Sequence, residues 1–392
     1  MKSKVSCFKG EEIKECTRKS IEQLGGIGKF IKKNETVFIK PNLMAQFYSP
    51  YIVDADVIRT VIELCYNAGA KKVYVGENPM VDIESKEVLE YTGYKDYFED
   101  AGAEVVLLDE SKYVKVYSGN AKCFREFKLP EVLVKSDKYI NIAKMKTHVL
   151  TGVTLCMKNQ QGLLEHDEKV MCHDHNLSQK FVDMALLRKP NLCVVDAFNC
   201  LEGYGPMFGE LKKLNCIVAG SDIISTDHAC SKMMGFDPME IKTTKLGYEQ
   251  GVGNIKYKYI GPRISESFKK PWFTIPEKLG NIRFYSHIPD KGSENILKLS
   301  LSLFIAYSET FKHEFSKLKD LAVVYGGLNR EIKSHTVLLF GDTAIKSKDM
   351  VKAKHFIEFR GNPPAHWLKV IKKLAQTFDL DIIGFMASAL ED

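Results

Sequence analysis

Three stretches, TVFIK (36–40), DVIRTVIELCYN (56–67) and KVYVG (72–76), settle the fold class. The first and third are short, apolar and β-branched, which is the composition of a buried strand. The middle one carries Val57, Val61, Ile62 and Leu64 or Cys65 on a single helical stripe, with Gly69 placed to end it. Strand, helix and strand in that order predict a unit of a mostly parallel sheet covered by helices. Working outward, the alternation continues with a helix at 86–101, strands at 104–108 and 138–142, a helix at 177–188, strands at 192–196 and 215–219, and a helix at 223–234. The segment 254–289 is rich in Lys, Pro, Gly and aromatic residues without a clear period, so it marks a boundary. Beyond it, a helical stretch at 294–321, strands at 337–340 and 355–359 and a helix at 365–378 predict a smaller α/β unit. The expected architecture is thus α/β, with a main domain over 1–250 and a smaller one over 251–392 closing a cleft.

The chain has 392 residues, 45% of them hydrophobic and 27% charged, which excludes disordered, collagen-like and mucin-like classes. A net charge of +6 over this length favours neither nucleic acid nor membrane, and it does not repel a small anionic molecule. The basic and aromatic cluster Phe268-Lys269-Lys270-Pro271-Trp272 comes without a helix-turn-helix, zinc-finger or RNP motif, so no nucleic-acid partner is expected. Residues 1–12 are polar, and the longest uncharged apolar stretch, 299–307, is far below the ~20 residues a span requires. A cytoplasmic protein is expected. Its ten cysteines include no CxxC pair, hence no zinc ribbon or ferredoxin-type cluster is encoded, and reduced core thiols are the expectation. Oligomeric state is not legible.

Four segments carry chemistry. Lys40-Pro41-Asn42 closes the first strand, and ligands of open α/β sheets bind at the carboxyl ends of strands; a solvated Lys beside a proline turn is the plain alternative. The densest segment follows the strand expected to end at Ile142. It holds Lys144, Lys146, Thr147 and His148, then Thr151 and Thr154, then Lys158, Asn159 and Gly162, then His166, Lys169, His173 and His175. Histidines with carboxylates nearby are raw material for a metal site, and imidazole also moves protons near neutral pH. A lysine here binds a carboxylate or, if burial lowers its pKa, acts as a nucleophile. Asp196 at a strand end and Glu202 in a glycine-rich loop are candidates for metal or hydroxyl binding; that loop lacks the following helix that a dinucleotide fingerprint needs. Asp222 precedes a helix, where capping is its larger role.

In order and spacing these segments resemble the family called domain of unknown function 362. The match consists of Lys40-Pro41-Asn42, Lys144-Met145-Lys146-Thr147-His148, Thr151-Gly152 with Lys158-Asn159 and Gly162, Asp196 with Glu202-Gly203-Tyr204-Gly205-Pro206, and Ala219-Gly220-Ser221-Asp222 with Asp227, over roughly residues 35–240. Many members carry a ferredoxin-like cysteine run, which this chain lacks. Gly341-Asp342-Thr343-Ala344 and Gly361-Asn362-Pro363-Pro364 match more loosely. A more distant similarity is to the nickel-pincer lactate racemase, where a histidine stands ten residues before the lysine that carries the cofactor, as His148 stands before Lys158.

The combined expectation is a cleft enzyme for a small carboxylate or phosphate, with proton or hydride transfer beside a carbonyl or hydroxyl, as in isomerases, racemases or oxidoreductases. His148 is a metal ligand or general base and Lys158 a cofactor anchor or carboxylate clamp. Lys40, Asn42, Lys146, Thr151, Thr154, Asn159, Glu202 and Asp222 are substrate-binding. The resemblance implies a divalent metal, nickel, zinc or iron, held by His148, His173, His175 and Asp196. A non-catalytic ligand or cofactor carrier built from the same lysines is the alternative.

Overall fold

A computed structural model describes residues 3–81, 83–173, 176–306, 320–361 and 367–379. The chain falls into two compact units, one of Met1–Lys169 with Ser178–Pro271 and one of Val170–Leu177 with Trp272–Asp392.

The first unit opens with β1 (Ser3–Lys9), α1 (Ile13–Gln23), β2 (Thr36–Lys40), α2 (Ala55–Asn67), β3 (Lys72–Glu77), α3 (Ser85–Thr92), α4 (Tyr94–Glu99) and β4 (Glu104–Leu107). A separate hairpin of β5 (Tyr113–Tyr117) and β6 (Glu126–Pro130) leads through α5 (Glu131–Lys135) to β7 (Lys138–His148), β8 (Gly152–Thr154), α6 (Cys156–Asn159), α7 (His166–Cys172) and α8 (Leu177–Leu187). Then come β9 (Leu192–Tyr204), β10 (Phe208–Gly220), α9 (Ile223–Met233), α10 (Lys242–Glu249) and β11 (Tyr257–Ile260). The main sheet has the order β11-β1-β10-β9-β7-β2-β3-β4, with β8 folded back on β7. Strands β9, β7, β2, β3 and β4 are parallel, whereas β10 runs antiparallel to both β9 and β1. The first strand, β1, lies between β10 and β11, pairing Val5 with Gly220 and Ser3 with Tyr257.

The βαβ core of the sequence reading is present. Val57, Val61, Ile62 and Cys65 of α2 are fully buried, Asp54 caps the helix by accepting from Asp56 N, and Gly69 leaves it at φ +86°. Three expectations are corrected. The helix at 86–101 is two helices, because Gly93 takes a left-handed φ of +69° and ends α3 before α4 starts. The strand expected to stop at Ile142 runs on to His148, and the one expected to stop at Asp196 runs on to Tyr204. In both, polar residues continue the strand because their side chains find buried partners while the backbone keeps its ladder. Glu202 therefore sits on a strand and not in a loop, and the glycine-rich piece is the turn of the β9–β10 hairpin.

The second unit holds β12 (Lys278–Leu279), β13 (Ile282–Tyr285), α11 (Lys291–Ala306), β14 (Leu321–Val324), β15 (Ile332–Phe340), α12 (Asp342–Ile345), β16 (Val351–Phe359) and α13 (Trp367–Phe378). Its sheet follows chain order, and β13 to β16 are parallel. Ala322, Val324, Val337 and Leu339 alternate along β14 and β15 into a core with Leu328, Ile332 and Ala344. The helix expected to reach 321 is seen to Ala306; residues 307–319, 365–366 and Asn362-Pro363-Pro364 lie outside the described ones. All ten cysteines are free thiols, and no described helix is long and apolar enough to cross a membrane.

Candidate functional site

The carboxyl ends of β2, β3 and β7 bring together a buried network of lysines and amides. Asn159, presented by the single turn of α6, is its centre. Its Nδ2 lies 2.8 Å from Asn141 Oδ1, 3.2 Å from the Ile142 carbonyl and 3.4 Å from the Lys40 carbonyl. Three oxygens on one side fix the orientation of the amide, so Asn159 Oδ1 faces its donors, Lys40 Nζ at 2.9 Å and Asn42 Nδ2 at 3.1 Å. With its nitrogen committed, Asn42 turns Oδ1 to Lys146 Nζ at 3.1 Å. Lys146 also donates to the Tyr51 carbonyl at 2.6 Å and approaches Met44 Sδ at 3.1 Å. The turn that carries Asn159 is itself pinned from α9. The fully buried Asp227 carboxylate accepts Cys156 N at 2.8 Å and Met157 N at 2.9 Å.

Two ion pairs flank this network. Lys40 Nζ lies 2.7 Å from Glu77 Oε2, which also accepts Leu43 N, and both side chains are almost fully buried. Glu77 Oε1 accepts no hydrogen bond; the space beside it is available because residue 162 is glycine, where a Cβ would overlap Oε1 and stand 2.7 Å from Lys40 Nζ. Lys144 faces Asp196 across β7 and β9 in register, 2.7 Å apart and with no exposure on either side chain. Ser49 Oγ accepts from Lys144, while the Asp196 oxygens also take Asp54 N and Phe198 N. Burial pushes Lys40 below the usual amine range and raises Glu77, each opposed by the partner's charge. Lys146 is driven furthest, well below the usual range, by burial and then by the positive charges of Lys158 and Lys144.

Of the residues singled out in the sequence, Lys40, Asn42, Lys146 and Asn159 form one chain of contacts, with Lys144 and Asp196 beside it. His148 follows Lys144 and Lys146 at alternate positions of β7, the spacing that shares a face. It is 3% exposed, and its Nδ1 accepts Leu150 N at 3.1 Å. Lys158 donates to Gln161 Oε1 and lies 5.4 Å from the Phe181 ring centre. Thr151 bonds the Val153 carbonyl, whereas Thr154 Oγ1 is buried without a partner. Glu202 accepts Lys269 N at 3.0 Å and pairs with Lys212 at 3.6 Å, and Asp222 caps α9 through Ser225 N. His166 lines a separate recess of ≈ 530 Å³ with Glu84, Asp109, Glu165 and Asp167, an acidic setting that disfavours anions. His173 belongs to the second unit, where its carbonyl accepts Asn295 Nδ2, and His175 lies outside the described residues. Among the described residues no three His, Cys, Asp or Glu side chains are grouped to hold a metal ion, and the oxygens of Asp196 are taken by Lys144 and two backbone N–H groups.

Glu77, Asn141, Ser49 and Tyr51 escaped the sequence reading. Glu77 was within reach of the argument that found Lys40, because it ends the strand next to β2.

Lys169 offers a measurement of how dry this region is. Its Nζ donates to the Asn78 and Pro79 carbonyls, and burial lowers its pKa to about 7. The folded state then sheds a proton that the unfolded state keeps until about pH 10.4. Stability from this residue therefore rises with pH, by about 1.4 kcal/mol per unit above pH 7. Urea unfolding at pH 7 and 9 checks this: the gain in stability between the two should be smaller by about 2–3 kcal/mol in Lys169→Met. Equal rises in both proteins would mean that the amine is solvated.

Comparison with known proteins places these motifs. The chain is 25% identical over 277 residues to the thylakoid-associated protein sll1697 of Synechocystis sp. (strain ATCC 27184 / PCC 6803 / Kazusa), covering 67% of this chain and 84% of that one. The lactate racemase apoprotein of Thermoanaerobacterium thermosaccharolyticum aligns over 85% of this chain and 68% of its own, with a TM-score of 0.41 and 10% identity, a level that carries no argument about chemistry. Residues 37–232, half of the sequence and the part that holds the whole lysine and amide network, match the model described as Domain of unknown function (DUF362), and the chain belongs to that family.

Proposed function

We propose that the first unit binds a small carboxylate or phosphate at its buried lysines and transfers a proton beside a carbonyl or hydroxyl of that molecule. One observation carries this: Lys40, Lys144 and Lys146 are all at most 1% exposed, yet among the described residues only Glu77 and Asp196 stand against them as carboxylates. Lys146 has only neutral hydrogen-bond partners among those described, so burial disfavours its charged form until an anion supplies the missing counter-charge and is taken up together with a proton. Lys40, Asn42 and Asn159 orient the ligand, Thr151 and Thr154 line it, and Lys158 clamps its carboxylate. Since His148 Nδ1 accepts a backbone N–H, the neutral ring carries its proton on Nε2, which fits a proton donor to the substrate oxygen.

Titration calorimetry with lactate, pyruvate and phosphate tests the binding, and deuterium exchange into the pyruvate methyl group, followed by NMR, tests the proton transfer. Wild type should bind and exchange. Lys146→Met should lose binding, and His148→Ala should bind while exchanging about 100- to 10,000-fold more slowly, the usual contribution of a positioned acid or base. Failure of the wild type to bind any of the three anions would remove the proposal. Binding without exchange would leave a carrier and remove the catalytic half.

A further inference from the structure

The connection between β2 and α2 is a loop with its ends tied together, because the Asn42 carbonyl accepts Val53 N at 3.0 Å. Compact loops of this kind often carry function. This one has a buried base and a partly exposed tip. Leu43, Met44, Ala45, Ile52 and Val53 are buried, Leu43 N is held by Glu77, and the Met44 carbonyl accepts Met80 N. None of residues 46–51 is buried, and Tyr48 is 50% exposed. The tip lies over two lysines of β7: Ser49 Oγ accepts Lys144 Nζ at 3.0 Å, and the Tyr51 carbonyl accepts Lys146 Nζ at 2.6 Å. Two side chains without exposure thus find acceptors on half-buried residues, which makes the tip the layer between these lysines and water. Its other fastenings are at the surface. Tyr48 Oη donates to the Tyr91 carbonyl at 3.0 Å with the two rings 5.4 Å apart, and Gln46 Nε2 lies 3.3 Å from Glu87 Oε2. Among the described residues, the backbone of the tip bonds only within the loop, apart from the Tyr51 carbonyl. A segment with so few buried contacts belongs to the part of a protein that opens locally at low cost.

We propose that residues 46–51 are a lid that competes with the ligand for the same lysine hydrogens, an inference that rests on the anion site proposed above. In the closed state the Ser49 hydroxyl and the Tyr51 carbonyl stand where oxygens of a carboxylate or phosphate bind. Both are neutral acceptors, so the closed lid satisfies N–H groups without supplying a counter-charge. An entering anion takes both places, brings the charge, and leaves the tip turned toward solvent. The lid therefore sets the apparent affinity. When only a fraction of the molecules is open, the apparent Kd is the intrinsic one divided by that fraction.

The experiment combines deuterium exchange of the full chain, read by mass spectrometry on peptides covering 43–53, with calorimetry, using lactate and inorganic phosphate as probes. Wild type is compared with Ser49→Ala, which removes a tether to Lys144, and with Tyr48→Ala, which loosens the tip from its exposed side. Saturating anion should speed exchange across 46–53 while peptides of β2 and α2 stay unchanged. Both variants should bind anion about five- to tenfold more tightly than wild type, the equivalent of about one lost hydrogen bond in the closed state. If either variant misfolds, the wild-type exchange decides alone. Anion binding with unchanged exchange, and with unchanged affinity in both variants, overturns the lid and leaves the anion site standing. Slower exchange on binding also overturns it, because the tip would then order over the ligand instead of yielding to it. No binding by any of the three proteins removes the site and the lid together.

Discussion

Asp196→Ala lowers the unfolding free energy of the first unit by about 3–5 kcal/mol, the cost of leaving one member of a buried ion pair without its partner. The variant strands Lys144, which has no exposure, and removes the acceptor for Asp54 N and Phe198 N. A pair in the middle of a sheet has no water to turn to, so discounting for solvent does not apply as it would at the surface. Urea unfolding should show a lower midpoint at unchanged slope. The double variant Lys144→Met with Asp196→Ala should recover most of the loss, because replacing both charges by apolar groups is often close to neutral. A loss under about 1 kcal/mol in the single variant would mean that the pair is hydrated.

Gly162→Ala is expected to cost about 3 kcal/mol and to weaken anion binding at the same time. Overpacking a tight site costs about 1–3 kcal/mol, and here the atoms displaced are the two ends of an ion pair. The added methyl overlaps Glu77 Oε1 and lies 2.7 Å from Lys40 Nζ, so either the pair parts or the turn that holds Asn159 moves. Shortening the carboxylate by one methylene relieves the overlap. Gly162→Ala with Glu77→Asp should therefore be more stable than Gly162→Ala alone, measured again by urea midpoints. If Gly162→Ala matches wild type in both stability and lactate affinity, the close approach of the pair to this turn is not needed.

What was legible in the sequence follows from what each signal measures. Hydrophobic periodicity located β2, α2, β3 and β4 to within a residue or two, because those elements bury apolar side chains in a regular pattern. It stopped short at Ile142 and Asp196, where strands continue on lysines, threonine, histidine and glutamate whose side chains have partners within the protein. A hydrophobic count reads such residues as loop. The motif lysines and amides were found because their density is unlike packing sequence, but which of them touch depends on distant strand ends: Lys40 and Asn159 are 119 residues apart. Glu77 and Tyr51 were missed for a related reason. One is a single acid at the end of an ordinary strand, and the other acts through a backbone carbonyl, which any residue would supply.

The position of β1 has a consequence for how the protein is made. This strand leaves the ribosome well before its neighbours β10 and β11, which are synthesised about 200 or more residues later, roughly 10–40 s at ordinary elongation rates. During that interval the βαβ layers of β2, β3, β4 and β7 can assemble, while Ser3–Lys9 waits with both hydrogen-bonding edges open. Nascent chains stalled before residue 208 should accordingly leave this segment open to protease and to chaperones that hold extended apolar peptide, and only chains past residue 260 should protect it.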